Sequence, residues 1–110
     1  MESEIKINIS LDETRTPEKI TWQATESGID SEKECKSFLL SVWDKADPGT
    51  LRIDLWTKDM MVDEMQHFVY QTIRTLADTY VRATHDKLLG EEIRQFADDF
   101  GKKIQQQRPS

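Results

Sequence analysis

At 110 residues the chain is the size of one ordinary domain, and its single cysteine, Cys35, has no partner within the chain for a disulfide. A net charge of −6 opposes a phosphate backbone, which excludes nucleic acid as a partner of the domain as a whole; only Lys102, Lys103 and Arg108 cluster as basic residues. No apolar run approaches the roughly 20 residues of a membrane span, and Met1-Glu2-Ser3-Glu4 lacks both halves of a signal peptide. The expected setting is therefore the cytoplasm, without direct membrane insertion.

The first segment alternates: Ile5, Ile7, Ile9 and Leu11 point one way, while Lys6, Asn8 and Ser10 point the other. Period two with β-branched residues predicts a half-buried strand. A turn over Asp12–Pro17 leads to a second strand with Ile20, Trp22 and Ala24 inward, and the two form an antiparallel hairpin. A loop is expected over 26–30, containing Gly28. Ser31 and Glu34 then have capping-box spacing, which predicts helix A over about 32–46 with Cys35, Leu39, Val42, Trp43 and Ala46 on one face. Asp47-Pro48-Gly49 stops it. A third strand places Leu51, Ile53 and Leu55 on one face and Arg52, Asp54 and Trp56 on the other.

Asp59 is the expected N-cap of helix B, over about 60–84, whose stripe runs through Val62, Met65, Val69, Ile73, Leu76, Tyr80 and Ala83. Asp86 is the expected cap of helix C, over about 87–105, with Leu89, Ile93, Phe96, Ala97, Phe100 and Ile104 as its apolar face. The expected fold is thus a single α+β domain of order ββαβαα. A small, three-stranded, mostly antiparallel sheet carries helices on one face, and residues 1–3 and 105–110 are flexible ends.

Little of the polar inventory reads as chemistry. Glu64-x-x-His67 is half of a di-metal carboxylate arrangement, but no second Glu-x-x-His exists and His67 falls opposite the apolar stripe. His85 beside Asp86 sits at a turn where Asp serves as a cap. Cys35 lies on an apolar face and reads as an inert thiol. There is no Gly-rich phosphate loop and no Gly-x-Ser-x-Gly. Arg74, Asp78 and Arg82 read as an i, i+4 surface ladder. No enzyme activity, cofactor, metal or small-molecule substrate is therefore expected. The departure from pattern is Trp56, an aromatic on the polar strand face. Together with Arg52, Asp54, Lys58 and Met60 it forms a candidate protein-binding surface.

The run Leu51-Arg52-Ile53-Asp54-Leu55-Trp56-Thr57-Lys58-Asp59-Met60, followed by Val62-Asp63-Glu64-Met65, resembles the gliding-motility protein family GldC of Bacteroidota-type bacteria. Supporting matches lie in Pro17-Glu18-Lys19-Ile20-Thr21-Trp22, in Leu39-Leu40-Ser41-Val42-Trp43-Asp44 and in Leu76 to Thr84. The resemblance covers about residues 4–104 and implies a small cytoplasmic accessory protein without catalytic residues or cofactor. On that reading it acts through protein contacts, with the gliding machinery or with further copies of itself as partners. The competing expectation is a general adaptor or chaperone-like module unrelated to motility.

Overall fold

The computed structural model describes residues 1–25 and 29–107, with residues 29 and 30 described by their backbone alone. The order is βββββαα: β1 (Ile5–Leu11), β2 (Pro17–Ala24), β3 (Ile29–Cys35), β4 (Ser37–Trp43), β5 (Thr50–Trp56), α1 (Val62–Thr84) and α2 (Lys87–Gln107). The chain forms two compact units, Met1–Met60 and Met61–Ser110.

In the first unit β1 and β2 form the expected antiparallel hairpin, with Ile7 opposite Trp22 and Ile9 opposite Ile20. Cross-strand apolar pairs of this kind are the unit of sheet stabilisation. Ile20 is fully buried, which contributes roughly 1.5–3 kcal/mol. The turn between the strands is organised by Asp12, whose Oδ1 accepts from the N–H groups of Thr14 (2.8 Å) and Thr16 (3.0 Å) and from the Thr14 hydroxyl (2.8 Å). Asp favours such turns because its carboxylate reaches backbone amides a few residues on.

The third element corrects the sequence reading. Helix A over 32–46 does not form. Ser31 and Glu34, taken as a capping box, lie in β3, which pairs antiparallel with β2 through Ile20–Cys35 and Trp22–Lys33. The chain bends at Lys36 and continues as β4, which pairs with β5 in a second, two-stranded sheet. The order is therefore βββββαα, not ββαβαα, and the five strands divide into sheets of three and two. Leu39, Val42 and Trp43 have helical spacing, but Phe38, Leu40 and Val42 also alternate. A complementary strand opposite them decides the contest, placing Phe38 against Leu55, Leu40 against Ile53 and Val42 against Leu51. Asp47-Pro48-Gly49 is thus the tip of a hairpin rather than a helix stop. There the Asp44 N–H donates to the Gly49 carbonyl (3.0 Å), and the Asp44 carboxylate accepts from the Asp47 N–H (2.7 Å). Of the loop expected over 26–30, residues 26–28 lie outside the described residues and residues 29 and 30 belong to β3.

The β4–β5 ladder runs one rung past its strands, and the residue after it reaches back to β2. The Lys36 carbonyl accepts from both the Thr57 N–H (2.8 Å) and the Thr57 hydroxyl (3.2 Å), and the Lys58 N–H donates to the Pro17 carbonyl (3.1 Å). Thr57 is 3% exposed, a buried polar residue with its groups satisfied, as burial requires.

The second unit is a helical hairpin. Helix α1 starts two residues later than the Asp59 cap implies. Met61 is its N-cap residue and donates its N–H to the Glu64 carboxylate (2.9 Å), whereas Asp59 accepts from the Thr57 hydroxyl. His85 ends α1 in the left-handed region (φ 61°). Asp86 caps α2 as expected, accepting from the Leu89 N–H at 3.1 Å. The tail beyond 107 lies outside the described residues. The helices meet through small residues: Ala77, Gly90 and Ala97 are buried, while Leu76, Leu88 and Phe96 stay exposed. A Cβ on Gly90 would strike Val81 Cγ2, and one on Gly101 would lie 2.8 Å from Tyr70 Cε1. Nor does the expected Arg74–Asp78–Arg82 ladder form. Arg74 pairs with Asp98 and Asp78 with Arg94 (2.6 Å), so the charges bridge the two helices instead of decorating one.

Gly90→Ala is expected to lower stability by about 1–3 kcal/mol, because β-branched Val81 cannot swing aside and overpacking outweighs the ~1 kcal/mol gain in helix propensity. Urea unfolding followed by circular dichroism measures this.

Candidate functional site

The β4–β5 hairpin carries the candidate surface. Directly opposed residues share a face, so its register sorts the side chains in two. One face is wholly apolar: Phe38 with Leu55, Leu40 with Ile53, Val42 with Leu51. The other carries Trp56 beside Ser37, Asp54 beside Leu39, Arg52 beside Ser41, and Trp43 beside Thr50.

Both faces reach the surface. Leu51 is 62% exposed and Ile53 53%; on the other side Trp43 is 70% exposed and Trp56 54%. Scattered apolar residues are ordinary on a surface; here Leu40, Val42, Leu51 and Ile53 form a contiguous exposed apolar patch on one face, while the two tryptophans stand at opposite ends of the other. Between the tryptophans the Arg52 guanidinium grips the Asp54 carboxylate with two bonds, Nη2 to Oδ1 at 2.9 Å and Nε to Oδ2 at 3.2 Å, and also donates to the Ser41 hydroxyl. This leaves the aromatic face electrically neutral and its polar groups fixed.

Of the five residues singled out in the sequence, the structure brings Arg52, Asp54 and Trp56 together on this face. It directs Lys58 and Met60 elsewhere. The Lys58 ammonium lies 3.1 Å from Asp12 Oδ2 and 3.8 Å from Glu18 Oε2, at the mouth of the β1–β2 hairpin. Met60 is half-buried in the turn after β5, its N–H donating to the Thr57 carbonyl (3.1 Å). Trp43 was missed, because the segment reads as helical by spacing. The signal that reveals it is the mirror arrangement of two alternating apolar runs about Asp47-Pro48-Gly49.

Burial pushes the Cys35 thiol's pKa up, with the Glu34 carboxylate adding to that against a backbone hydrogen bond from Ser37, so it stays a thiol. It borders a 270 Å³ pocket with Glu18, Lys36, Thr57 and Asp59. In the helical unit an open trough of 610 Å³ is lined by His67, Tyr70, Asp98 and Lys102, with the His67 ring stacked at 6.2 Å on Tyr70. Among the described residues no three His, Cys, Asp or Glu side chains gather to hold a metal ion, and no helix is long and apolar enough to cross a membrane.

A family model described as "Gliding motility-associated protein GldC-like" matches residues 17–106. The chain belongs to the GldC-like family. The match takes in β2 through α2 and so includes the whole β4–β5 hairpin. No curated protein and no solved structure matches the chain.

Within this family member, Asp12 supports the hairpin's base through Lys58. The Thr16 and Thr14 amides and the Thr14 hydroxyl, with the Lys58 ammonium, hold the Asp12 carboxyl well below the usual carboxylate range. A depressed pKa stabilises the fold above the unfolded value of about 3.9 and loses that effect as pH falls through the folded value. Asp12→Ala is therefore expected to lower the Tm by a constant amount between about pH 5 and 7. The deficit narrows as the pH falls below about 4, where the wild type loses the same contribution. Thermal melts across that range check this.

Proposed function

We propose that this chain serves gliding motility as a non-enzymatic accessory protein, binding protein through the β4–β5 hairpin. Family membership supports the setting. The observation that carries the mechanism is the hairpin itself, which presents apolar side chains on one face and Trp43 and Trp56 around a neutral Arg52–Asp54 pair on the other. A two-stranded hairpin is marginally stable in water, so one exposed on both faces is suited to completion by a partner. Trp and Arg are the residues that dominate binding energy at protein interfaces. The working compartment on this reading is the cytoplasm, and the binding surface comprises Arg52, Asp54 and Trp56 with Trp43 added.

Trp43→Ala/Trp56→Ala is expected to keep the far-ultraviolet circular dichroism of the wild type. It weakens partner capture in a cross-linking pull-down from the native host by at least about tenfold, since hot-spot truncations cost about 2 kcal/mol. Deletion of the gene is expected to abolish or slow gliding, and the double variant to fail in restoring it. Unchanged capture together with normal gliding would sink the reading.

A further inference from the structure

The free edge of β4 has a register that suits one particular partner. The Thr57 N–H bonds to the Lys36 carbonyl and the Asp44 N–H to the Gly49 carbonyl, so positions 36 and 44 direct their backbone groups toward β5. Antiparallel ladders alternate. Phe38, Leu40 and Val42 therefore also face β5, and Ser37, Leu39, Ser41 and Trp43 turn their backbone groups outward. The sheet has only two strands among the described residues, so the outward groups of Leu39, Ser41 and Trp43 lie on an open edge, while the Ser37 N–H turns to the Cys35 sulfur.

The two edges of this sheet differ. β5 carries Arg52 and Asp54, charges of the kind that keep an edge from pairing, whereas Ser37–Trp43 holds no charge, no proline and no glycine. Among the described strands, the edges of β1, β3 and β5 carry charges and that of β4 does not, so two copies meet there without repulsion.

We propose that two copies of the chain associate through antiparallel pairing of their β4 edges about a twofold axis at Leu40. This rests on the reading of the hairpin as a protein-binding element. In this register Leu39 exchanges hydrogen bonds with Ser41 of the second copy, and Ser41 with its Leu39. Trp43 lies against the second copy's Ser37, whose N–H is already directed at the Cys35 sulfur. On the apolar face Leu40 meets Leu40, and Phe38 meets Val42. At each end Lys36 of one copy falls opposite Asp44 of the other, so the charges that bound the strand are complementary. Sliding the axis to Leu39 sets Asp44 against Glu34, and sliding it to Ser41 sets Asp44 against Phe38. Only the Leu40 register among these matches charge with charge of opposite sign. The product is a four-stranded sheet, a size that is stable where a lone hairpin is marginal.

The test uses the full chain with Cys35→Ser. Paired residues at a twofold lie about 4.5 Å apart between Cα atoms, within disulfide range. Mild oxidation of Leu40→Cys is expected to give a covalent dimer of twice 12.9 kDa. Leu39→Cys and Ser41→Cys, offset from their own copies, stay monomeric on non-reducing gels. By sedimentation, Lys36→Asp and Asp44→Lys are each expected to weaken the dimer about tenfold, and Lys36→Asp/Asp44→Lys to restore it. A monomeric wild type, or cross-linking at 39 and 41 equal to that at 40, overturns the proposal. If the dimer is absent but Trp43→Ala/Trp56→Ala still abolishes capture of another protein, self-pairing fails and the hairpin's binding role stands.

Discussion

The Lys36 carbonyl is the point on which the β unit depends. It is one acceptor serving two donors of a buried threonine, and it sits where one sheet ends and the next begins. β3 runs into β4 through this bend with no intervening loop, so the hairpin is an extension of the three-stranded sheet's last strand. The return strand β5 closes on the same spot, and Lys58 then clasps Asp12 and Glu18. Hydrogen bonds among buried groups are worth little net when made but cost their full desolvation when broken. Breaking the Thr57 bonds would therefore cost more than making them gains.

How much of this was legible in the sequence varied by element, for physical reasons. Ile5, Ile7 and Ile9 have one period only, and so do the long apolar stripes of α1 and α2; their type followed from their spacing. The segment 37–43 has two periods at once, since Val42 belongs to both. Its state is settled by Leu51, Ile53 and Leu55, residues that local reading cannot weigh. With that segment misassigned, Trp43 lost its place beside Trp56's face. Charged residues were legible only in part. Arg52 and Asp54 stayed where alternation put them, but the partner of Lys58 lies far back in the chain at Asp12. Arg74 and Asp78 found theirs on the other helix rather than one turn away.

The hairpin's chemistry is consistent across scales. The chain as a whole is acidic, yet the two faces of the paired β4 and β5 strands are neutral: one has no charge, and on the other the single cation is spent on the single anion. A neutral surface of this kind is set apart from its neighbours by strand register and aromatic shape rather than by its field.

The helical hairpin has a mechanical consequence. Val81 seats at Gly90 and Tyr70 at Gly101, two notches separated by the same stretch of helix on both rods. Three turns of helix lie between them, so both notches fall on the facing sides. Rods keyed at two points cannot slide past each other by a residue, as a uniformly greasy interface allows. The two helices are therefore held in one register, which only a substitution at a notch or its key would release.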